Sequence, residues 1–412
     1  MYAEENWINK QVEPHRTNIY DMNKLLFFSL IALILMGCNK PPKYDLVIEK
    51  VNLFDGYEDL GTVNVAINDD TIAAITAKKL HAGSTIDGSG KFMIPGLVNA
   101  HVHANSLEDL KEGYPLGILT LLNMHTGLEE REIGWKTMTK DSIGFSTLYG
   151  AGHAATVPGG HPTQFSPDME TINDSLSVED WINHRISKKV DYIKIVHTLG
   201  GWMDEPTAPT LDYDKIKRLI GLAHSNGFKA VVHVGEVEEM ETIAKFKPDG
   251  FVHMLSMKKD IPVPDSYYTT ISSSGAFVVP TAGINLKSMD GLPPFMREWI
   301  SNNLLDATES AEIIKKMYEA GILIVAGTDA QEGQMNFGED YFLELELYKM
   351  AGLSNIEVLK TATGNAAKAF DLPIGEIKKG SKATFVLLNA NPLNDLANLR
   401  KVEQVWKNGK TN

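Results

Sequence analysis

The chain has 412 residues, enough to bury a large core and to hold more than one domain. Lys and Arg total 39 against 53 Asp and Glu, a formal charge of −14 that argues against a nucleic-acid binder, which needs a basic face to neutralise phosphates. Hydrophobic residues at 43% exclude global disorder, and the single cysteine excludes an intramolecular disulfide and a cysteine-built zinc cluster.

Residues 25–36 are an apolar run, LLFFSLIALILM, preceded by Lys24. It is shorter than the roughly 20 residues that span a bilayer as a helix. A basic start, an apolar stretch and then small residues have the layout of a secretory signal. The run closes on Leu35-Met36-Gly37-Cys38, which resembles a bacterial lipobox, and the chain's lone cysteine sits at the position that carries the lipid in such signals. Residues 1–37 are therefore read as an upstream extension and signal, Cys38 as the lipid attachment point, and 38–43 as a tether. Two or more acyl chains hold a protein stably on a membrane, so the expected location is the bacterial cell envelope, facing the periplasm or the exterior.

From Tyr44 to Ile94 the chain reads as short β-strands. The runs 46–48, 63–67 and 71–75 are β-rich and are separated by Asp55-Gly56, Asn68-Asp69-Asp70 and Asp87-Gly88. From 95 to 372 the pattern changes. Strand-like runs at 96–100, 144–149, 192–196, 230–234, 250–254, 276–279 and 323–326 alternate with helix-like runs such as 213–225, 237–246, 308–320, 341–351 and 356–362. No strand is placed between 104 and 143. Alternation of this kind implies a parallel sheet. Seven or eight such units in about 275 residues fit an α/β fold of the (β/α)8 TIM-barrel type. Residues 383–388 and 402–407 are again strand-like. The two ends, 44–94 and 373–412, are expected to pair into one small β-sandwich.

Most informative polar residues fall at the C-terminal ends of the strands, the rim on which barrels build active sites. His101-Val102-His103 closes the first strand, and two His two apart on a strand point to the same side. His233 closes Ala230-Val231-Val232, and His253 closes Gly250-Phe251-Val252. Asp329 follows the run from Leu323 to Thr328, where an acid can bind a metal and exchange protons with water. Four His and an Asp on one rim point to a divalent metal, with Zn, Mn, Fe or Co all suited to N/O ligands.

Lys194 lies between Ile193 and Ile195. Burial there lowers a lysine's pKa. A neutral amine adds to carbon dioxide, forming an N–C bond and releasing a proton, and the resulting carbamate bridges two metals. The alternative is a lysine paired with an acid or reaching the rim. His153 and His161 follow glycines after the 144–149 run and are candidate substrate-binding residues, with His197 ranked behind them. His15, His81, His125, His184 and His224 are left as solvated or structural.

These residues, in this order, resemble the amidohydrolase superfamily. The likeness rests on Pro95-Gly96-Leu97-Val98-Asn99-Ala100-His101-Val102-His103, on Gly327-Thr328-Asp329, on residues 361–367 and on the tail 375–380. The branch it most resembles is imidazolonepropionase-like and prolidase-like. The resemblance implies a metal-centred barrel with a small β-domain from both ends. His101, His103, His233, His253 and Asp329 match the metal ligands, and Lys194 matches the lysine carbamylated in binuclear members, which favours two ions. It implies hydrolysis of a C–N bond in an amide, dipeptide or cyclic amide, with Asp329 taking a proton from water and passing it to the leaving nitrogen. The partner is a small-molecule substrate, and a homo-oligomer is compatible with an enzyme of this size. The tail has Ala383-Thr384 where relatives usually have Ala-Asp, and His233 opens His-Val-Gly-Glu where many have a second histidine or an aromatic. The alternatives are a mononuclear deaminase, a lactone or phosphotriester hydrolase on the same scaffold, and, remotely, a non-catalytic ligand-binding lipoprotein.

Overall fold

The computed structural model describes residues 43–198, 208–254, 263–290, 293–303 and 305–411. The proposed signal and Cys38 lie outside the described residues. Among the described residues no helix is long and apolar enough to cross a membrane.

Fourteen strands are described: β1 (Lys43–Phe54), β2 (Asp59–Asn68), β3 (Thr71–Thr76), β4 (His81–Asp87), β5 (Phe92–Pro95), β6 (Leu97–Val102), β7 (Ile118–Asn123), β8 (Thr147–Gly150), β9 (Ile193–Val196), β10 (Ala230–His233), β11 (Gly250–Val252), β12 (Phe277–Val279), β13 (Phe385–Leu388) and β14 (Val402–Trp406). The two ends of the chain do pair. They form a seven-stranded sheet in the order β14-β13-β5-β1-β2-β3, with β4 paired to β1. In β13 the side chains alternate: Phe385 and Leu387 join the core of the terminal sheet, while Val386 and Leu388 join the core packed around the central strands. A strand buried on both faces in this way is what makes the terminal sheet continuous with the rest of the fold.

The middle of the chain is α/β with parallel strands. One sheet has the order β6-β7-β8 and the other β12-β11-β10-β9. The strand left unplaced from the sequence is β7. Its run Ile-Leu-Thr-Leu-Leu-Asn is buried on both faces, so it lacks the alternation that separates a strand from a buried helix. The 144–149 run is consequently the third central strand rather than the second. Residues 323–326, expected as a strand, make only a single parallel bridge, Val278↔Ile324. Their backbone is nevertheless paired on both sides: Val325 N–H donates to Val278 O and Ala100 N–H donates to Ala326 O, both at 2.9 Å. A second bridge, Ala155↔Ile195, pairs the segment after β8 with β9.

Helices cover these strands. Tyr213–Ser225 begins on an Asp212 cap and presents Ile216, Leu219, Ile220 and Ala223 to the core. Ala307–Glu319 begins with a capping box, Asp306 and Glu309. On the inner side of the strands lie Val98, Ala100, Leu122, Val231, Val252, Phe277, Val279 and Val325, in one cluster with Phe370 of the helix Gly364–Phe370. This layer forms an apolar floor, and the polar strand ends stand above it.

Candidate metal centre

The register of β6 sets the direction of its two histidines. Pairing with β7 shifts between Asn99 and Val102. Before the shift Val98 and Ala100 face inward; after it Val102 packs outward and His101 and His103 converge. A one-residue irregularity of this kind re-aims side chains at a strand end. The two Nε2 atoms are 3.3 Å apart.

Asp329 is brought to them by backbone pairing. His101 O accepts the Asp329 N–H at 2.9 Å, and Ala330 O accepts the His103 N–H at 2.8 Å. Asn99 ties the same loop from below, its amide donating to Thr328 Oγ1 at 2.8 Å and its Oδ1 accepting the Thr328 N–H at 3.1 Å. Asp329 takes a left-handed backbone, φ 60°. Its Oδ1 lies 3.1 Å from His101 Nε2 and 3.0 Å from His103 Nε2.

Among the described residues this is the group of three metal-ligating side chains whose donor atoms lie within 4.8 Å of one another. Asp329 Oδ1 is buried and, although close to both imidazole nitrogens, is left without a hydrogen-bond partner. Ligand atoms about 2.0–2.1 Å from a tetrahedral ion lie roughly 3.3 Å from one another, close to the spacing seen here. The three donors therefore fit a cation better than they fit one another.

His233 and His253 stand beside this group. His253 Nε2 is 3.1 Å from His233 Nδ1, and the His253 ring centre is 4.9 Å from that of His101. His253 also has a left-handed backbone, φ 67°, which breaks the alternation of β11 and turns the ring toward the others. Lys194, inward on β9, is buried; desolvation pushes it down to about 7 against the opposing pull of Asp329. Burial likewise holds His101 and His233 well below the usual imidazole range and His253 down at about 4, so all three present neutral lone pairs at pH 7. Burial pushes the Asp329 carboxyl upward, but the opposing pull of His101 and His103 when protonated is larger and holds it well below the usual carboxylate range, so a proton entering this cluster goes to a ring before it goes to the carboxyl.

Two orienting partners carry no mark in the sequence. His103 Nδ1 lies 3.2 Å from His125 O, so an Nδ1–H donated there leaves Nε2 free to bind. Thr281 Oγ1, 2.8 Å from His253 Nδ1, is placed to accept an Nδ1–H there and, being a hydroxyl, to donate to the other tautomer. His125, left above as solvated or structural, is buried at the end of β7, its Nδ1 accepting the Ala154 N–H and its Nε2 facing Ser166 Oγ at 3.0 Å.

Of the two candidate substrate residues, His161 comes to the site, its ring 5.2 Å from that of His233. His153 lies behind His125, 6.4 Å between ring centres, and its Nδ1 accepts the Glu170 N–H at 3.1 Å. Glu170 and Glu129 flank the buried Arg185, so His153 belongs to a structural ion-pair network. His197 is also buried; its Nδ1 donates to Leu211 O at 2.8 Å, and its backbone N–H donates to His233 O at 2.9 Å. His184 and His224 pair with Glu170 and Asp249 away from the centre.

The model of the Amidohydrolase family matches residues 92–411. An imidazolonepropionase of Treponema denticola is 27% identical over 372 residues, covering 81% of this chain and 86% of the relative. A 5-methylthioadenosine/S-adenosylhomocysteine deaminase of Caldanaerobacter subterraneus is 25% identical, covering 85% of this chain and 87% of the relative. Among solved structures, a Xaa-Pro dipeptidase with bound methionine superposes with a TM-score of 0.73 at 20% identity, covering 89% of this chain and 99% of that one. A putative prolidase from Bifidobacterium longum gives a TM-score of 0.72 at 21% identity, covering 90% of this chain and 95% of that one.

Proposed function

This chain belongs to the amidohydrolase family, and on that premise we propose that it is a metal-dependent hydrolase that cleaves a C–N bond in an amide, dipeptide or cyclic amide. That it is an enzyme follows from the family and from relatives named for hydrolysis and deamination. The observation that carries the proposal is the convergence of His101, His103 and Asp329, with His233, His253 and the buried Lys194 beside them.

In this reading the two parallel sheets and the 323–326 run make one (β/α)8 barrel over residues 95–372. The terminal sheet folds over its own core as a sandwich built from 44–94 and 373–412. His101, His103 and Asp329 would hold one divalent cation and His233 and His253 a second, with Lys194 as a carbamate between them. Zinc is the ion we favour. A cation held there supplies Lewis-acid polarisation of a carbonyl and acidifies water. Asp329, ionised and partly open to solvent, accepts a proton from the attacking water at a carboxylate oxygen and returns it to the leaving nitrogen. His161 sits over His233 and binds the substrate near the scissile group.

A second reading, a mononuclear deaminase, is favoured by the deaminase relatives. Elemental analysis of the protein purified without chelators, together with turnover on dipeptides, cyclic amides and adenosine derivatives, separates the two. About two equivalents with amide hydrolysis supports the first. About one with ammonia release supports the second, and no metal with no turnover refutes both. We also propose that Cys38 anchors the enzyme to the cell envelope; its recovery as an unlipidated soluble protein from its native cell would refute this.

A further inference from the structure

Glu344 lies in the middle of the helix Tyr341–Met350 and is fully buried. Among the described residues no cation pairs with it. One carboxylate oxygen, Oε1, accepts Tyr348 O–H at 2.7 Å. The other, Oε2, accepts the Gly283 N–H. Burial raises the Glu344 carboxyl to about 7, and Tyr348 and the backbone N–H groups of residues 281–283 oppose that push, so this turn faces an internal carboxyl. The approach is close: a Cβ at Gly283 would lie 2.6 Å from Glu344 N and 2.8 Å from its Cα.

Thr281, the first residue of this turn, has φ 53°. A β-branched residue in the left-handed region is strained and persists only where its surroundings impose it. From that conformation Thr281 Oγ1 reaches His253 Nδ1, while His253 Nε2 faces His233 Nδ1. Either ring can donate to the other across that 3.1 Å contact, so whether the His253 proton sits on Nδ1 or Nε2 depends on what Nδ1 faces.

We infer that Glu344 is a positioning residue for His253: by holding the 281–283 turn through the Gly283 N–H it keeps Thr281 in its left-handed conformation, and the Thr281 hydroxyl, accepting from Nδ1–H, in turn sets the tautomer and direction of the imidazole. The inference rests on the proposal that His253 is a metal ligand, and it deepens that proposal.

The test uses the full chain labelled with 15N-histidine, with the His253 ring signals assigned by His253→Ala. The chelator-treated wild type is expected to show His253 as one tautomer, protonated at Nδ1. Glu344→Ala and Thr281→Val are expected to shift His253 toward a mixture and to leave His103 unchanged, since His125 O holds that ring. Glu344→Gln keeps one oxygen for the N–H groups and is expected to restore most of the wild-type signal. Thr281→Val keeps the side chain's shape and guards against a Glu344→Ala protein that does not fold. Cobalt titration is the second readout. Glu344→Ala and Thr281→Val are expected to weaken cobalt binding about tenfold. Unchanged His253 signals in both variants would overturn the inference even if the wild type binds cobalt. A wild type that binds no cobalt would overturn the metal proposal instead, and the tautomer signals would still decide the role of Glu344.

Discussion

Asp329 and His101 are joined twice: the Asp329 N–H donates to His101 O at 2.9 Å, and Asp329 Oδ1 lies 3.1 Å from His101 Nε2. The first contact fixes the register of the last inner run against β6, and the second uses that register to bring a carboxylate to an imidazole. Asp329→Asn preserves the backbone contact and removes the base. It is expected to lower turnover by about 10²-fold or more with little change in melting temperature. Full turnover in this variant, measured on whichever amide the wild type hydrolyses, would remove Asp329 from the proposed proton path.

Gly327 allows that register. A Cβ there would stand 2.6 Å from Val279 Cγ1 and 2.7 Å from His101 N, so the run could not lie against β6 and β12 as it does. Gly327→Ala is expected to cost about 1–3 kcal/mol and to weaken metal retention by pulling Asp329 away from His101. Thermal unfolding with and without added zinc measures both. A variant as stable as the wild type, with the same zinc-induced shift, would show that the loop relaxes freely.

The parts of the site that the sequence revealed are those in which local periodicity does the placing. His101 and His233 stand at the ends of apolar strands, with His103 just after one, and a strand end on a parallel sheet is a rim position; Lys194 lies within the apolar strand β9. The helix Tyr213–Ser225 was legible to the residue because its apolar positions recur at helical spacing behind an Asp cap. What stayed hidden depends on contacts distant along the chain. His125 orients His103 through a backbone carbonyl, for which any residue type would serve. Glu344, in the run Phe-Leu-Glu-Leu-Glu-Leu, reads like its neighbour Glu346, yet Glu346 is exposed beside Arg400 while Glu344 is buried against a turn 61 residues earlier. The β7 run escaped because burial on both faces erases alternation.

In the proposed two-metal reading, Lys194 decides the number of ions. Its ammonium is buried and pushed down to about 7, which leaves a large neutral fraction able to add to carbon dioxide. Lys194→Ala is expected to reduce metal from about two equivalents to about one or fewer and to lower turnover sharply, because the bridge is lost. Elemental analysis after exhaustive buffer exchange reads the stoichiometry. Two equivalents retained in the variant would show that the bridge is not built on this lysine.

His161 and His153 should part company. His161 lies over His233 within reach of a substrate, so His161→Ala is expected to raise KM about tenfold, the worth of one lost hydrogen bond of about 1.4 kcal/mol. His153 spends its Nδ1 on the Glu170 N–H beside the Arg185 ion pairs, so His153→Ala is expected to lower the melting temperature and leave KM alone. Steady-state kinetics with parallel thermal unfolding distinguishes the two. A reversed pattern would place His153, not His161, against the substrate.

Glu132 should give the protein a pH dependence of stability that a single variant isolates. It is fully buried, accepting Asn123 Nδ2–H at 2.7 Å and the Gly152 N–H at 3.0 Å, and burial outweighs these bonds and raises its pKa from 4.5 to about 7. A carboxyl with a raised folded-state pKa binds its proton more tightly folded than unfolded. Its stabilising contribution is complete below about pH 4.5 and is lost as pH rises through about 7, a change of about 3 kcal/mol. The imidazoles His153, His161 and His253, lowered to about 4 by desolvation, act in the opposite sense: they are neutral in the fold and charge on unfolding, so stability rises with pH between about 4 and 6.5. The wild-type profile therefore mixes two opposing slopes. Glu132→Gln keeps an oxygen for the Gly152 N–H and removes only the titration. The difference in unfolding free energy between variant and wild type, measured on metal-free protein, is expected to move in favour of the variant as pH rises from about 5 to about 7 and to level off above it. A difference that stays flat over that range would show that Glu132 titrates in the fold as it does in solvent.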